Sequence, residues 1–194
     1  DDEITEEVFN HLAPKLKVIS KWGTGIDSIN LTAAENFGVQ IHNSPAAFKN
    51  AVGELAVGYA LALSRGILET HLEVSTGAWP KKQYRDLSEL CVGLIGFGAI
   101  GQGVAERLTA FGCRLNYYDP FVNCSNHNSV TLEELAKVAD IFIITASLND
   151  STRGIIGKSF LSSVKTGSFL INVSRGQLVD EKELSNALNS GQIG

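Results

Sequence analysis

The chain has 194 residues, 44% of them hydrophobic and 19% charged, a balance that excludes a disordered chain and provides enough apolar residues for one or two packed domains. Acidic side chains outnumber basic ones by 21 to 16, a net charge of -5, so the overall field favours neither nucleic acid nor an anionic membrane, and a small-molecule partner is expected. Cys91, Cys113 and Cys124 are widely spaced without a CxxC pair, so neither a disulfide framework nor a metal site is expected, and a cytoplasmic location fits.

The opening "DDEITEEVF" is acidic where a signal peptide would be basic, and it does not begin with methionine, so it is read as the start of a trimmed chain. A strand is predicted over 16–20, followed by the loop "KWGTGID", a helix over 32–36 and a second strand over 39–42. Two short strands cannot hold a core alone, so 1–47 is read as part of a flavodoxin-like α/β domain. The second domain is placed at 48–194, beginning with a junction helix over 51–65 in "NAVGELAVGYALALSRG". This helix is apolar on most faces and therefore expected to be buried. Its longest apolar run, 55–63, has nine residues against the ~20 needed to cross a bilayer, so no membrane span is expected.

Beyond residue 90 short β-branched runs alternate with amphipathic segments, the pattern of a parallel sheet covered by helices. Strands are predicted over 92–95, 114–118, 141–145 and 168–173. The helices between them carry their own signals. Val104, Leu108 and Phe111 share one face before a terminating Gly112, Thr131 and Glu134 have capping-box spacing, and Asp180 and Glu183 repeat it ahead of Gly191. Continuously apolar strands are buried on both faces, which predicts a doubly wound α/β sheet of the Rossmann type.

The first of those strands runs into "GFGAIG", where Gly96, Gly98 and Gly101 form GxGxxG at the opening of a helix. The next strand ends at Asp119, 18 residues beyond Gly101. That context predicts a dinucleotide site: Gly96 for the tight turn, Gly98 for backbone approach to a pyrophosphate, and Gly101 for close packing of helix on strand. Phosphate would sit at the helix N-terminus, and Asp119 would accept from a ribose diol while repelling a 2'-phosphate, so NAD is expected over NADP. The competing reading is a glycine-rich strand-to-helix turn in which Asp119 caps the segment before Pro120.

With these residues in view, the chain resembles the D-isomer-specific 2-hydroxyacid dehydrogenases, and within them the phosphoglycerate dehydrogenase-like branch. The likeness runs through "LKVISKWGTGIDSINLTAAENFGVQIHNSP", "AVGELAVGYALALSR", "VGLIGFGAIG" with "YYDP", "STRGIIG" and "SFLINVSRGQLVDEKELSNALNSGQI". It implies that Arg175, in "NVSRG", is the catalytic arginine. A planar, permanently charged fork at that place can pair with a substrate carboxylate and polarise the C2 carbonyl as hydride arrives. The resemblance also makes Gly23, Thr24 and Gly25 the turn that binds the substrate carboxylate, with Thr24 near the nicotinamide. A simple glycine-rich turn explains the same two glycines. Further cofactor contacts are implied at Ala99 and Ile100 by the phosphates, Ala146 on the adenine side, and Val173 and Ser174, with Arg175, by the nicotinamide. Ala99, "TASLND" and "SPAAFKN" depart from the family's usual residues, and His11, His42, His71 and His127 match no catalytic histidine, so all four are read as structural or exposed.

The implied reaction is reversible hydride transfer between the nicotinamide and C2 of a small 2-hydroxy or 2-keto acid. It requires a histidine for the hydroxyl proton and a glutamate to tune it, both of which lie further along in the family, so the chain is read as a central portion that binds NAD with little turnover. Two other readings are a non-enzymatic, NAD-sensing corepressor-like module and a dimerisation core, since the family's junction helix packs across a two-fold axis and a homodimer is implied. Substrate identity is not reached.

Overall fold

The structure, a computed structural model, describes residues 3–194, and the chain divides into two compact units, Asp1–Phe48 and Lys49–Gly194. In the first unit the order is α1 (Glu6–Leu12), β1 (Val18–Ser20), α2 (Leu31–Asn36) and β2 (Gln40–His42). The two strands pair in parallel with Ile19 opposite Ile41. Helix α2 starts one residue earlier than predicted because Asn30 caps it, its Oδ1 accepting from the Ala33 N–H at 2.9 Å. Phe9, Ile29, Ala33, Ala34 and Val39 form this unit's small core, with Phe37 stacked on Phe9 at 6.2 Å.

The second unit opens on α3 (Lys49–Ser64), two residues ahead of its predicted start, followed by α4 (Ile67–Ser75). Burial of α3 on most faces is not what the structure shows: Gly53, Ala56, Val57, Ala60 and Ser64 form one buried stripe, while Leu55 and Tyr59 are 50% and 46% exposed. An Ala- and Leu-rich helix carries apolar groups all round, and composition cannot say which faces find a partner. Small residues are what the buried stripe needs. Gly53 lies against the backbone of Gly103, so α3 packs closely on the helix that follows the glycine loop.

From there the chain alternates β3 (Cys91–Ile95), α5 (Ala99–Thr109), β4 (Arg114–Tyr118), β5 (Asn128–Ser129), α6 (Leu132–Val138), β6 (Ile141–Ile144), α7 (Lys158–Leu161), β7 (Phe169–Asn172) and α8 (Glu181–Asn189). The five strands form one parallel sheet in the order β5-β4-β3-β6-β7. This is the doubly wound arrangement expected, and the order reverses between β3 and β6, which opens a crevice at their carboxyl ends.

Strand alternation explains why both faces are apolar. Val92 and Leu94 of β3, with Ile141 and Ile143 of β6, point into a core shared with α3 and α5. Cys91, Ile95, Phe142 and Ile144 point the other way, against α6 and α7. The caps follow the sequence signals: Thr131 and Glu134 close a reciprocal box, and Asp180 Oδ1 accepts from the N–H groups of Lys182 and Glu183. At the amino ends of the strands Asp140 binds the Cys91 N–H at 2.8 Å and pairs with Lys165 and Arg85. Burial pushes its carboxyl up, but those partners outweigh burial and hold it below the ordinary range.

Candidate cofactor and substrate site

The loops leaving β3, β4, β6 and β7 meet at the carboxyl ends of the sheet, and each was singled out in the sequence. Gly96 has φ +94°, a backbone conformation L residues avoid, and a Cβ built there would lie 2.6 Å from the Ala146 N and Cα. Only glycine lets the first loop turn while touching the loop after β6. At Gly101 a Cβ would overlap the Gly96 carbonyl oxygen, so α5 can begin directly beneath the turn. Gly98 differs from both, because its missing Cβ faces open space. Something outside the chain can therefore approach that backbone closely, as a pyrophosphate at the start of α5 requires. Ala99 and Ile100, half-buried, form the first turn of that helix. Thr145, which sequence reasoning passed over, donates from Oγ1 to the Gly96 carbonyl at 2.7 Å and fixes the loop from below.

Asp119 sits at the end of β4. Its Oδ2 accepts from the Phe97 N–H at 2.7 Å, and its Oδ1 accepts from the N–H groups of Phe121 at 2.9 Å and Val122 at 3.2 Å. The capping geometry is present: the carboxylate caps the turn through Pro120, and it does so facing the glycine loop. A carboxylate offers about four acceptor positions, so three amides leave room for a hydroxyl while fixing the plane of the group. Phe97 itself is buried, stacked on Tyr117 at 4.0 Å, with His127 against its edge at 5.6 Å. His127 is therefore half-buried and part of the wall, whereas His11, His42 and His71 are exposed.

After β7 the chain makes a tight turn over Val173, Ser174 and Arg175, all half-buried. Asn172, not anticipated from the sequence, shapes it: its Oδ1 accepts from the Ser174 N–H at 2.9 Å and its Nδ2 donates to the Arg175 carbonyl at 2.8 Å. Ser174 Oγ donates to the Ala146 carbonyl, which ties this turn to the loop after β6. Arg175 Nη1 donates to the Ser174 carbonyl at 3.2 Å, and its backbone opens a short 3-10 helix over Gly176–Leu178. The guanidinium is thus mounted on a loop held from two sides.

In the first unit Gly23, Thr24 and Gly25 lie in the loop after β1. Asn43 Nδ2 donates to the Thr24 carbonyl at 2.7 Å, and the Ser44 N–H donates to the Gly23 carbonyl at 2.9 Å. The N–H groups of residues 23–25 find no acceptor among the described residues, so the turn presents a row of donors suited to an anion.

A cavity of about 470 Å³ lies elsewhere, at the amino ends of β3, β6 and β7, lined by Leu63, Leu68, Tyr84, Leu90, Asp140 and Phe169 among others. None of the expected cofactor residues reaches it. Burial pushes the Cys91 and Cys113 thiols up, away from the thiolate form.

The family model for the D-isomer specific 2-hydroxyacid dehydrogenase, NAD binding domain, matches residues 57–194. The chain belongs to this family, and NAD is the cofactor of the domain it carries. It is 36% identical to D-3-phosphoglycerate dehydrogenase of Methanocaldococcus jannaschii over 199 residues, covering 98% of this chain and 38% of that protein. It is 36% identical to hydroxyphenylpyruvate reductase of Plectranthus scutellarioides over 188 residues, covering 93% of this chain and 59% of the relative. The crystal structure of D-lactate dehydrogenase from Aquifex aeolicus complexed with NAD and lactic acid superposes with a TM-score of 0.94 at 28% identity, covering 98% of this chain and 59% of that one. The chain thus spans roughly two fifths to three fifths of the length of these relatives.

Proposed function

We propose that the protein is an NAD-dependent oxidoreductase that moves a hydride between the nicotinamide and C2 of a D-2-hydroxy acid, 3-phosphoglycerate-like or a related small acid. The observation that carries this reading is the convergence of Gly96, Gly98, Asp119, Ala146 and Arg175 on one crevice at the carboxyl ends of a doubly wound sheet. The residues present fit the dinucleotide, because Gly98 leaves its backbone open and Asp119 is aimed and held by three amides.

Bound there, NADH would supply the hydride to C2, and a general acid, a histidine in the family's pattern, would supply the proton that completes the alcohol. The chain's own residues bind and orient. Arg175 pairs with the substrate carboxylate and with the C2 oxygen as negative charge grows on it, and the turn at Gly23, Thr24 and Gly25 offers donors of the kind a carboxylate accepts from. A fixed cation beside the developing alkoxide favours the transition state over the ground state, which is how it accelerates the step. Reduction of glyoxylate, pyruvate or hydroxypyruvate by NADH, followed at the nicotinamide absorbance, tests the reading in the full-length protein. Absence of turnover with every 2-keto acid tried would remove it in favour of a non-enzymatic NAD-sensing module.

Asp119→Ala should weaken NAD binding by about tenfold, with a smaller loss for NADP, because the ribose diol loses a charged acceptor while a 2'-phosphate loses a repulsion. Calorimetric titration of both nucleotides checks it, and equal losses for the two would contradict the assignment.

Homodimerisation through α3 and α4 is the assembly we favour. Leu55, Tyr59, Ile67, Leu68 and Leu72 lie 46–65% exposed on these two consecutive helices, apolar side chains that a second copy would cover. Sedimentation should give a dimer that Leu68→Asp converts to a monomer, and a monomeric wild type would dismiss the proposal. A cytoplasmic location is proposed with it, on the three free cysteines alone, Cys91 buried and Cys113 and Cys124 half-buried.

A further inference from the structure

Trp22, the residue immediately before the carboxylate-binding turn, is 86% exposed. Its indole lies on the ring of Phe48, with centroids 6.3 Å apart and planes tilted by 32°. Phe48 is half-buried and ends a loop in which Ala46 has φ +62°, a conformation that costs a non-glycine residue energy. That loop is the same one that braces the turn, through Asn43 and Ser44. The first unit therefore pairs the residue that precedes the turn with one from the loop that braces it, and leaves the larger ring in solvent.

We infer that Trp22 and Phe48 form the specificity wall for the substrate's C3 substituent, and that the preferred substrates are 2-keto acids with an aromatic or bulky apolar group at C3. The inference rests on the dehydrogenase reading and deepens it. If the turn at 23–25 holds the carboxylate, C3 lies only two carbon–carbon bonds, about 2.5 Å, from the carboxylate carbon. Whatever C3 carries is then confined to the neighbourhood of the turn, and Trp22 is the residue that leads into that turn. Aromatic faces and edges gain by stacking, and an exposed indole has apolar area to cover.

The charges around the turn point the same way. Recognition of a phosphorylated substrate needs free cations or a fork of donors. Residues 21–28 and 42–48 contain one lysine and no arginine. That lysine, Lys21, donates from Nζ to Ser28 Oγ at 2.6 Å. The segment that holds the carboxylate thus offers an apolar platform where a phosphate site would place charge.

The test is a comparison of kcat/KM for phenylpyruvate, glyoxylate and 3-phosphohydroxypyruvate, with NADH, in the full-length protein and its variants. Wild type is expected to prefer phenylpyruvate over the phosphorylated acid. Trp22→Ala should lower the ratio of phenylpyruvate to glyoxylate efficiency by roughly tenfold, Trp22→Phe should restore most of it, and Phe48→Leu should shift it in the same direction as Trp22→Ala. An active enzyme whose ratio is the same in Trp22→Ala and wild type, or one that prefers the phosphorylated acid, overturns this inference and leaves the dehydrogenase reading standing. A wild type that reduces none of the three overturns the dehydrogenase reading, and the inference with it.

Discussion

Replacing Arg175 by alanine should lower kcat/KM for a 2-keto acid by about a thousandfold, roughly 4 kcal/mol of lost transition-state stabilisation. The size follows from where the guanidinium is held and from when it is needed. It stands on a turn fixed by Asn172 from one side and by the Ser174 contact to Ala146 from the other, so it is positioned before the substrate arrives. In the proposed reaction the charge it meets grows only as hydride reaches C2, so its loss should fall on the chemical step more than on cofactor binding. Arg175→Lys keeps the charge but loses the fork, and should recover about tenfold of the thousand. Steady-state kinetics in the full-length protein, with NAD affinity measured in parallel, checks both. Equal losses of NAD affinity and of kcat/KM would mean that Arg175 only builds the pocket.

How much of this was legible beforehand depends on which forces set each feature. The sheet was readable because its strands are buried on both faces, and continuous runs such as "CVGLI" and "IFII" have few other uses in a chain of this length. The glycine loop was readable because each glycine answers a separate steric demand: a positive φ at 96, open space at 98, and an overlapping carbonyl at 101. The brace beneath the loop was not, because Thr145 reaches the Gly96 carbonyl only once β3 and β6 lie side by side; Asn172 was passed over although its two bonds, to Ser174 and Arg175, are local to the turn after β7. Nor did the sequence reveal that Asp119 binds three amides, since that depends on the turn Pro120 imposes and on Phe97 lying across the sheet from it. Helix α4 was missed outright. It begins after Gly66 in the left-handed region, with no side-chain cap, and its apolar residues form no buried stripe. The misjudged burial of α3 has the same root, because apolar side chains left exposed look, in sequence, like apolar side chains already covered.

The second large effect is expected at Gly96. Gly96→Ala should destabilise the second unit by roughly 3 kcal/mol or more and abolish measurable NAD binding. Two costs combine at this residue: an alanine at φ +94° is strained whatever surrounds it, and its Cβ would stand 2.6 Å from the backbone of Ala146, which cannot swing aside as a side chain could. Relief requires the loops after β3 and β6 to separate, and they form the floor of the crevice. Gly98→Ala provides the contrast. Its Cβ meets nothing within 4 Å, and its φ of -69° suits any residue, so the variant should melt within a few degrees of wild type. NAD affinity should nonetheless drop by at least tenfold, because the methyl occupies the space through which a pyrophosphate approaches the backbone. Thermal melting and calorimetric titration of the two variants separate the steric role of one glycine from the ligand-facing role of the other. A Gly98→Ala protein that binds NAD as tightly as wild type would show that the open face of the loop is not where the cofactor lies.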